Sequence, residues 1–222
     1  MCGAFILNEN AALAKLVESL NIPVPSARGI LLPTQPIHVV RDDKQGDRCL
    51  LEARWWLLLG KDGKPDQRYA TFNSRSTKLH TSPLTKGLYT HSRCIIPATG
   101  FIEGQDGHYH MLERPDQGIA FGGLLREIEI DGKTHRSASI ITCPGNAQLD
   151  TIHRKSIPLL LPVENTELID DWLSPALTDT QRFDHLLDGS LHHALDAYPI
   201  QGARDLTVSG DPKRIQADGQ SQ

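Results

Sequence analysis

Leu13, Leu16, Val17 and Leu20 follow Asn10 at the spacing of one helix face, which predicts an amphipathic helix capped by that asparagine. Ahead of it, residues 2–7 read as a strand, and behind it prolines at 23, 25, 33 and 36 end the helix in a loop. The pattern then changes to short β-rich runs over residues 37–40, 49–59, 93–97, 108–112, 119–130 and 134–142. Asp131-Gly132, between the last two, predicts a tight hairpin. Helical spacing returns over residues 164–173 and 178–188, the second with Thr178 and Gln181 as a capping box and Gly189 as its stop. The fold class expected is α+β: one domain over residues 1–207, with a mostly antiparallel β core and helices at its periphery. The polar tail over 208–222 is expected to be disordered.

Composition narrows the class. A chain of 222 residues suits one large domain. It contains no run of 18 apolar residues, so no membrane-spanning helix is expected. The segment after Met1 lacks the basic and apolar regions of a secretory signal. Cys2, Cys49, Cys94 and Cys143 are too widely spaced for a C-x-x-C zinc or redox motif. A reduced, cytoplasmic, monomeric protein without metal, cofactor or membrane partner is the expectation.

The net charge of −4 hides an uneven distribution. Residues 67–102 contain no Asp or Glu, while Arg68, Arg75, Lys78, Lys86 and Arg93 are basic. Residues 164–198 carry eight acidic residues against Arg182 alone. Phosphate binding needs local positive potential rather than net charge, so the first stretch is a candidate nucleic-acid face. The plainer alternative is a set of cations scattered over a solvated surface.

Cys2 carries the most specific chemistry. A methionine followed by so small a side chain suits methionine removal, which would leave Cys2 with an α-amine and a thiol on one carbon. Their unperturbed pKa values are about 8 and about 8.5, so either becomes a nucleophile with a modest shift. Together they form a 1,2-aminothiol, which condenses with an aldehyde to an imine and then closes to a thiazolidine. The alternative is a buried apolar cysteine.

Three polar segments stand out between apolar runs: 72–76 with Asn73, 93–103 ending on Glu103, and 150–158 around His153. Singly, Asn73 reads as a turn residue, Glu103 as a solvated carboxylate and His153 as a structural histidine. In combination they suit aldehyde chemistry at an aminothiol, because an amide orients the amine while a carboxyl and an imidazole move protons.

Met1-Cys2-Gly3, Arg54-Trp55, Asn73-Ser74-Arg75, the turn from Pro97 to Glu103, His153 with Pro158, and Tyr198-Pro199 occur in that order. In this the chain resembles the SRAP family of abasic-site processing proteins, over residues 2 to about 200. The resemblance implies a barrel-like core and a covalent cross-link between Cys2 and the ring-opened aldehyde of an abasic site in single-stranded DNA. It implies Cys2 as nucleophile, Asn73 holding its amine or the opened sugar, Glu103 as proton shuttle and His153 as the acid at the sugar ring oxygen. Arg75 would take a phosphate, and Trp55 and either Arg154 or Lys155 would complete the DNA contacts. Peptidase activity at the bond before Cys2, and lyase release of the cross-link, are also implied.

The chain departs from that pattern at the DNA-holding positions. Ala4 stands where the family usually has arginine, Thr77 where it has a carboxylate, and Gly104 where it has tryptophan. The chemistry set is complete and the DNA-holding set is reduced. Two other functions fit the same residues: an N-terminal-cysteine hydrolase with no DNA role, and a non-enzymatic single-stranded DNA-binding module in which Cys2 is inert.

Overall fold

A computed structural model describes residues 2–26 and 29–219 and arranges their strands in two seven-stranded sheets. Met1, whose removal the sequence leads one to expect, and residues 220–222 of the tail lie outside the described residues. In chain order the elements are β1 (Phe5–Leu7), α1 (Ala11–Leu20), β2 (Gly29–Leu31), β3 (Pro36–Asp42), β4 (Arg48–Trp55) and β5 (Asn73–Arg75). There follow α2 (Lys86–His91), β6 (Arg93–Ala98), β7 (Gly100–Gln105), β8 (His108–Glu113), β9 (Ile119–Ile130) and β10 (Lys133–Pro144). The chain ends with β11 (Ser156–Pro158), α3 (Thr166–Leu173), β12 (Leu195–Gly202), β13 (Asp205–Val208) and β14 (Lys213–Ile215). Among the described residues no helix is long and apolar enough to cross a membrane.

One sheet closes on itself. Strands β4, β3, β6, β9 and β10 pair in succession, and β10 returns to β4 in parallel, giving a five-stranded barrel with no free edge around the circuit. The other sheet is an open half-barrel in the order β13-β12-β8-β7-β1-β2, with β14 on β12. Edge-on aromatic rings lock the two together. Phe5 of β1 lies 5.0 Å from Trp55 of β4 and 5.9 Å from Phe121 of β9, and Phe101 of β7 lies 5.8 Å from Phe121.

The strongest periodic signals give the elements expected of them. Asn10 caps α1 by accepting the Leu13 N–H at 2.9 Å. Asp131 and Gly132 both adopt positive φ, 51° and 72°, as the two-residue hairpin joining β9 and β10 requires. Residues 178–188 differ: the turn is a 3-10 helix over Thr180–Leu186, and Asp179 rather than Thr178 accepts the Gln181 N–H. Its buried residues, Thr180, Phe183 and Leu186, recur every three positions, which is the 3-10 period.

The tail also departs from expectation. Residues 213–215 pair with β12, and Ile215 and Ala217 are buried while their neighbours are exposed. Alternation between apolar and polar side chains, rather than mean polarity, decides the outcome there.

Candidate active site

The open sheet brings the N-terminus to the site. β1 runs antiparallel to β7 with Phe5 opposite Phe101, and the Ile102 N–H donates to the Ala4 carbonyl at 3.0 Å. That pairing carries Cys2 towards Glu103. Side chains alternate along β7: Phe101 joins the main core, Ile102 a satellite cluster with Ala4, Ile6 and Ile200, and Glu103 turns inward again. The barrel supplies the second component. β5 runs parallel to β10, with Asn73 opposite Ile140, and the Asn73 Nδ2 donates to the Cys2 carbonyl at 2.9 Å. The loop after β10 supplies the third, His153.

The resulting cluster is buried and polar. Cys2 is inaccessible to solvent, and its thiol lies 3.7 Å from the Ala4 carbonyl. Burial, with the Glu103 charge adding to it, raises the Cys2 thiol well above its ordinary pKa. Burial also pushes the Glu103 carboxyl up to about 7, so near neutral pH it exchanges its proton readily. Glu103 Oε2 lies 3.6 Å from His153 Nδ1, too far for a hydrogen bond, and Nδ1 donates to the Gly104 carbonyl at 3.1 Å. A carbonyl can only accept, so Nδ1 carries the proton and the neutral ring presents its basic lone pair at Nε2. Burial lowers the His153 pKa. Among the described residues, Glu103 Oε1 and Asn73 Oδ1 are buried without a hydrogen-bond partner. The site therefore holds unused acceptors beside a thiol.

A groove of about 660 Å³ adjoins this cluster, lined by Arg75, Thr77, Thr142, His153, Lys155 and Ser156 among others. Among the described residues no acidic side chain lines it. Arg75 and Lys155 make no ion pair among the described residues, so both cations remain available to an anion. Thr77, in place of a carboxylate, leaves Arg75 without a neighbouring acid in the groove.

Several expectations are corrected here. Trp55 is a core residue: it is fully buried, packs on Phe5, and donates its Nε1–H to the Phe72 carbonyl at 2.8 Å. Its faces are covered by protein and cannot stack on a base. Arg154 points away from the groove towards Asp106, 3.6 Å distant, so of the two cations after His153 it is Lys155 that lines the groove. Ala4 packs with Ile6, Ile102 and Ile200 in the satellite cluster, so position 4 faces an apolar patch rather than the groove. Of the five cations in the acid-free stretch only Arg75 lines the groove; Arg93 is buried and Arg68 is held by Asp66.

Gln105 was not among the residues singled out, although it follows Glu103 by two positions and so shares its face. Its Nε2 donates to the Asp150 carbonyl at 2.6 Å and its Oε1 accepts the Arg154 N–H at 3.2 Å, tying the His153 loop to β7. Gly104 has a steric reason. A Cβ there would lie 2.6 Å from both the His108 carbonyl and the Tyr109 ring on the partner strand. Among the described residues no group of His, Cys, Asp and Glu is arranged to hold a metal, and all four cysteines are free thiols.

Known proteins resemble this chain in sequence and in fold. The family model for SOS response associated peptidase (SRAP) matches residues 1–203. The chain is 27% identical to the abasic site processing protein YoqW of Bacillus subtilis (strain 168), with 98% of this chain and all of that one covered. It is 28% identical to the abasic site processing protein YobE of the same organism, over 90% of this chain and 94% of that one. Its fold matches a protein of Bacteroides thetaiotaomicron at a TM-score of 0.72 and 18% identity, covering 94% of this chain and all of the other. It also matches a phage-related protein of Bordetella bronchiseptica at 0.68 and 20% identity, covering 95% and 100%. A family match over most of the chain, on a fold that brings Cys2, Asn73, Glu103 and His153 together, places this protein in the SRAP family.

Proposed function

We propose that this protein processes abasic sites in single-stranded DNA, by cross-linking Cys2 to the ring-opened sugar through a thiazolidine. The observation that carries the reading is a buried Cys2–Asn73–Glu103–His153 cluster opening beside a groove with two unpaired cations and no acid. The reading includes release of the residue before Cys2 by the same cysteine, since an acylated amine cannot form an imine.

The chemistry assigns each group a proton. His153 Nε2 takes the proton of the anomeric hydroxyl and returns it to the sugar ring oxygen as the C–O bond breaks and the aldehyde forms. The Cys2 amine, oriented by the Asn73 amide, adds to that aldehyde. Glu103 in its protonated form gives a proton to the departing hydroxyl, which leaves as water, and the imine forms with its nitrogen still protonated. The Cys2 thiol then adds to the imine carbon. Its proton passes to the Glu103 carboxylate, the nitrogen keeps the one it already carries, and the five-membered ring closes. The raised thiol pKa suits this order, because the thiol stays protonated until the imine exists. Run backwards, the same proton transfers release the DNA. Arg75 and Lys155 would hold flanking phosphates by charge-assisted hydrogen bonds.

Incubating purified full-length protein with a single-stranded oligonucleotide bearing one abasic site, then running a denaturing gel, tests this. A covalent adduct is expected with wild type, and none with Cys2→Ala or with the intact oligonucleotide. Adduct formation by Cys2→Ala would remove the cysteine mechanism. Hydrolysis of amides without any adduct would favour an N-terminal-cysteine hydrolase.

A further inference from the structure

The loop that carries His153 is anchored by a segment past the matched residues 1–203. β14 pairs with β12, and after it the Asp218 carboxylate collects three N–H donors. Oδ2 accepts from Asn146 Nδ2 and from the Leu191 backbone, each at 2.7 Å, and Oδ1 accepts from Gln148 Nε2 at 2.7 Å. The Asp218 N–H donates in return to the Leu191 carbonyl at 2.8 Å, and Gln148 Nε2 also reaches the Gln216 carbonyl at 3.1 Å. Bonds to a carboxylate are stronger than those between neutral groups, so this is a firm attachment.

What it attaches to leads straight to His153. Asn146 is nine-tenths buried, and its Oδ1 accepts the Gln148 N–H at 2.9 Å, capping a 3-10 turn over Ala147–Leu149. The Leu149 carbonyl at the end of that turn accepts the N–H of both Ile152, at 2.8 Å, and His153, at 2.7 Å. His153 in turn places Nδ1 on the Gly104 carbonyl and beside Glu103. Gln105 holds the far end of the same loop, so two anchors, one from β7 and one from the tail, fix it.

We propose that Asp218 is a positioning residue for His153, with the segment after β12 serving as a latch that fixes the histidine loop against Glu103. The consequence for activity rests on the role given to His153 above; the latch itself does not. Around the imidazole stand the Glu103 carboxyl on β7, the Gly104 carbonyl and, on its own loop, Lys155. Releasing the loop would let water reach the ring, which raises its titration by more than parting from the Gly104 carbonyl lowers it, since burial is the larger influence.

The test is an NMR titration of the histidine ring signals in full-length wild type, Asp218→Ala and Gln148→Ala, with His153 assigned by its loss in His153→Gln. In wild type His153 is expected to titrate below the ordinary histidine value. In Asp218→Ala it should move back up, and in Gln148→Ala, which loses one arm of the latch, it should move part of the way. Cross-linking at saturating abasic oligonucleotide should slow about tenfold in Asp218→Ala, as misplacement of an acid costs. Affinity for an intact oligonucleotide should fall no further than in Lys155→Ala, because Arg75 on β5 stays in place, which a general loss of fold would not permit. An unchanged His153 titration in folded Asp218→Ala overturns the latch. Should that variant not fold, an unchanged curve in Gln148→Ala overturns it as well. Failure of wild type to form any adduct would sink the proposed function, while the titration would still decide the latch.

Discussion

Arg93 and Arg75 come from the same acid-free stretch and end in opposite surroundings. Arg93 is buried where α2, β6 and α3 meet, and its guanidinium donates to the carbonyls of Trp172, Tyr89, Thr90, Asp171, Ser174 and Leu177 at 2.8–3.4 Å. It also lies 5.0 Å from the Phe183 ring centre. Burial pulls its pKa down to about 10, and no carboxylate hydrogen-bonds to it. Arg75 is exposed on the groove, with no ion pair among the described residues. One arginine has every donor used by the protein's own backbone; the other has donors to spare. The buried polar groups divide in the same way, since Glu103 and Asn73 keep unpartnered oxygens where Arg93 keeps no idle arm. The saturated Arg93 holds the fold, whereas a missing partner does not by itself mark the chemistry, since among the described residues Tyr89 Oη and His110 Nδ1 are also buried without one. At Glu103 and Asn73 it coincides with a thiol and an imidazole.

The comparison breaks most visibly at Arg93. Arg93→Ala leaves up to six carbonyls short of a donor in a dry site and should cost about 3–5 kcal/mol of stability. Urea unfolding measures that loss. Arg93→Lys should recover little, because an ammonium has three donors and no planar fork. In the fraction that stays folded, DNA affinity should match wild type. If Arg93→Ala weakens DNA binding at full stability, the division between the two regions is wrong.

Glu103 sharpens the comparison, since an unsaturated buried acid should cost stability while it serves the reaction. Glu103→Gln should slow adduct formation and release by about 10²-fold. Its effect on stability should run the other way, and the sign follows from linkage. Burial raises the carboxyl from 4.5 to about 7 in the folded protein, so the fold prefers it protonated. That contribution is complete below the unfolded value and is lost as pH rises through about 7. Wild type should therefore lose stability between roughly pH 5 and 8, while Glu103→Gln should be flatter and, at pH 8, more stable by up to about 3 kcal/mol. Thermal melts of both proteins across that range decide it. A parallel pH dependence in the two would mean that Glu103 is not the buried acid described here.

How much of this was legible in the sequence depends on element length and on where partners lie. α1, β9, β10 and their hairpin declare themselves, because each repeats its pattern for ten residues or more or uses a turn with special backbone angles. β5 and β11 have three residues each, too few to show alternation, and both exist only because β10 pairs with them. β7 reads as a turn because Gly100 and Gly104 interrupt it, yet each is required by the partner strand. A Cβ at Gly100 would meet the Leu112 carbonyl at 3.0 Å. Cys2, Asn73, Glu103 and His153 are far apart in sequence, and their grouping came from resemblance rather than from spacing. Trp55 and Arg93 show the converse limit. Residue type alone cannot tell a ring that stacks on a ligand from one that fills a core, or a phosphate contact from a carbonyl clamp.

The smallest effects should come from the groove cations, and their ranking tests which side chains face the DNA. Each phosphate neutralised on a single strand contributes about 0.7 to the slope of log affinity against log salt. Arg75→Ala should weaken binding several-fold at low salt, alike for all DNA sequences, and flatten the slope by about 0.7. Lys155→Ala should do the same, and the double variant should flatten it by about 1.4, because the two cations share no acid and act independently. Arg154→Ala should change the slope far less, since its guanidinium lies beside Asp106 and Gln105 and leaves little charge to offer. Fluorescence anisotropy with a labelled single strand at several salt concentrations measures all four. A larger slope change for Arg154→Ala than for Lys155→Ala would reverse the assignment of the groove. The phosphate track would then run past Asp106 and the β7–β8 turn rather than between Arg75 and Lys155.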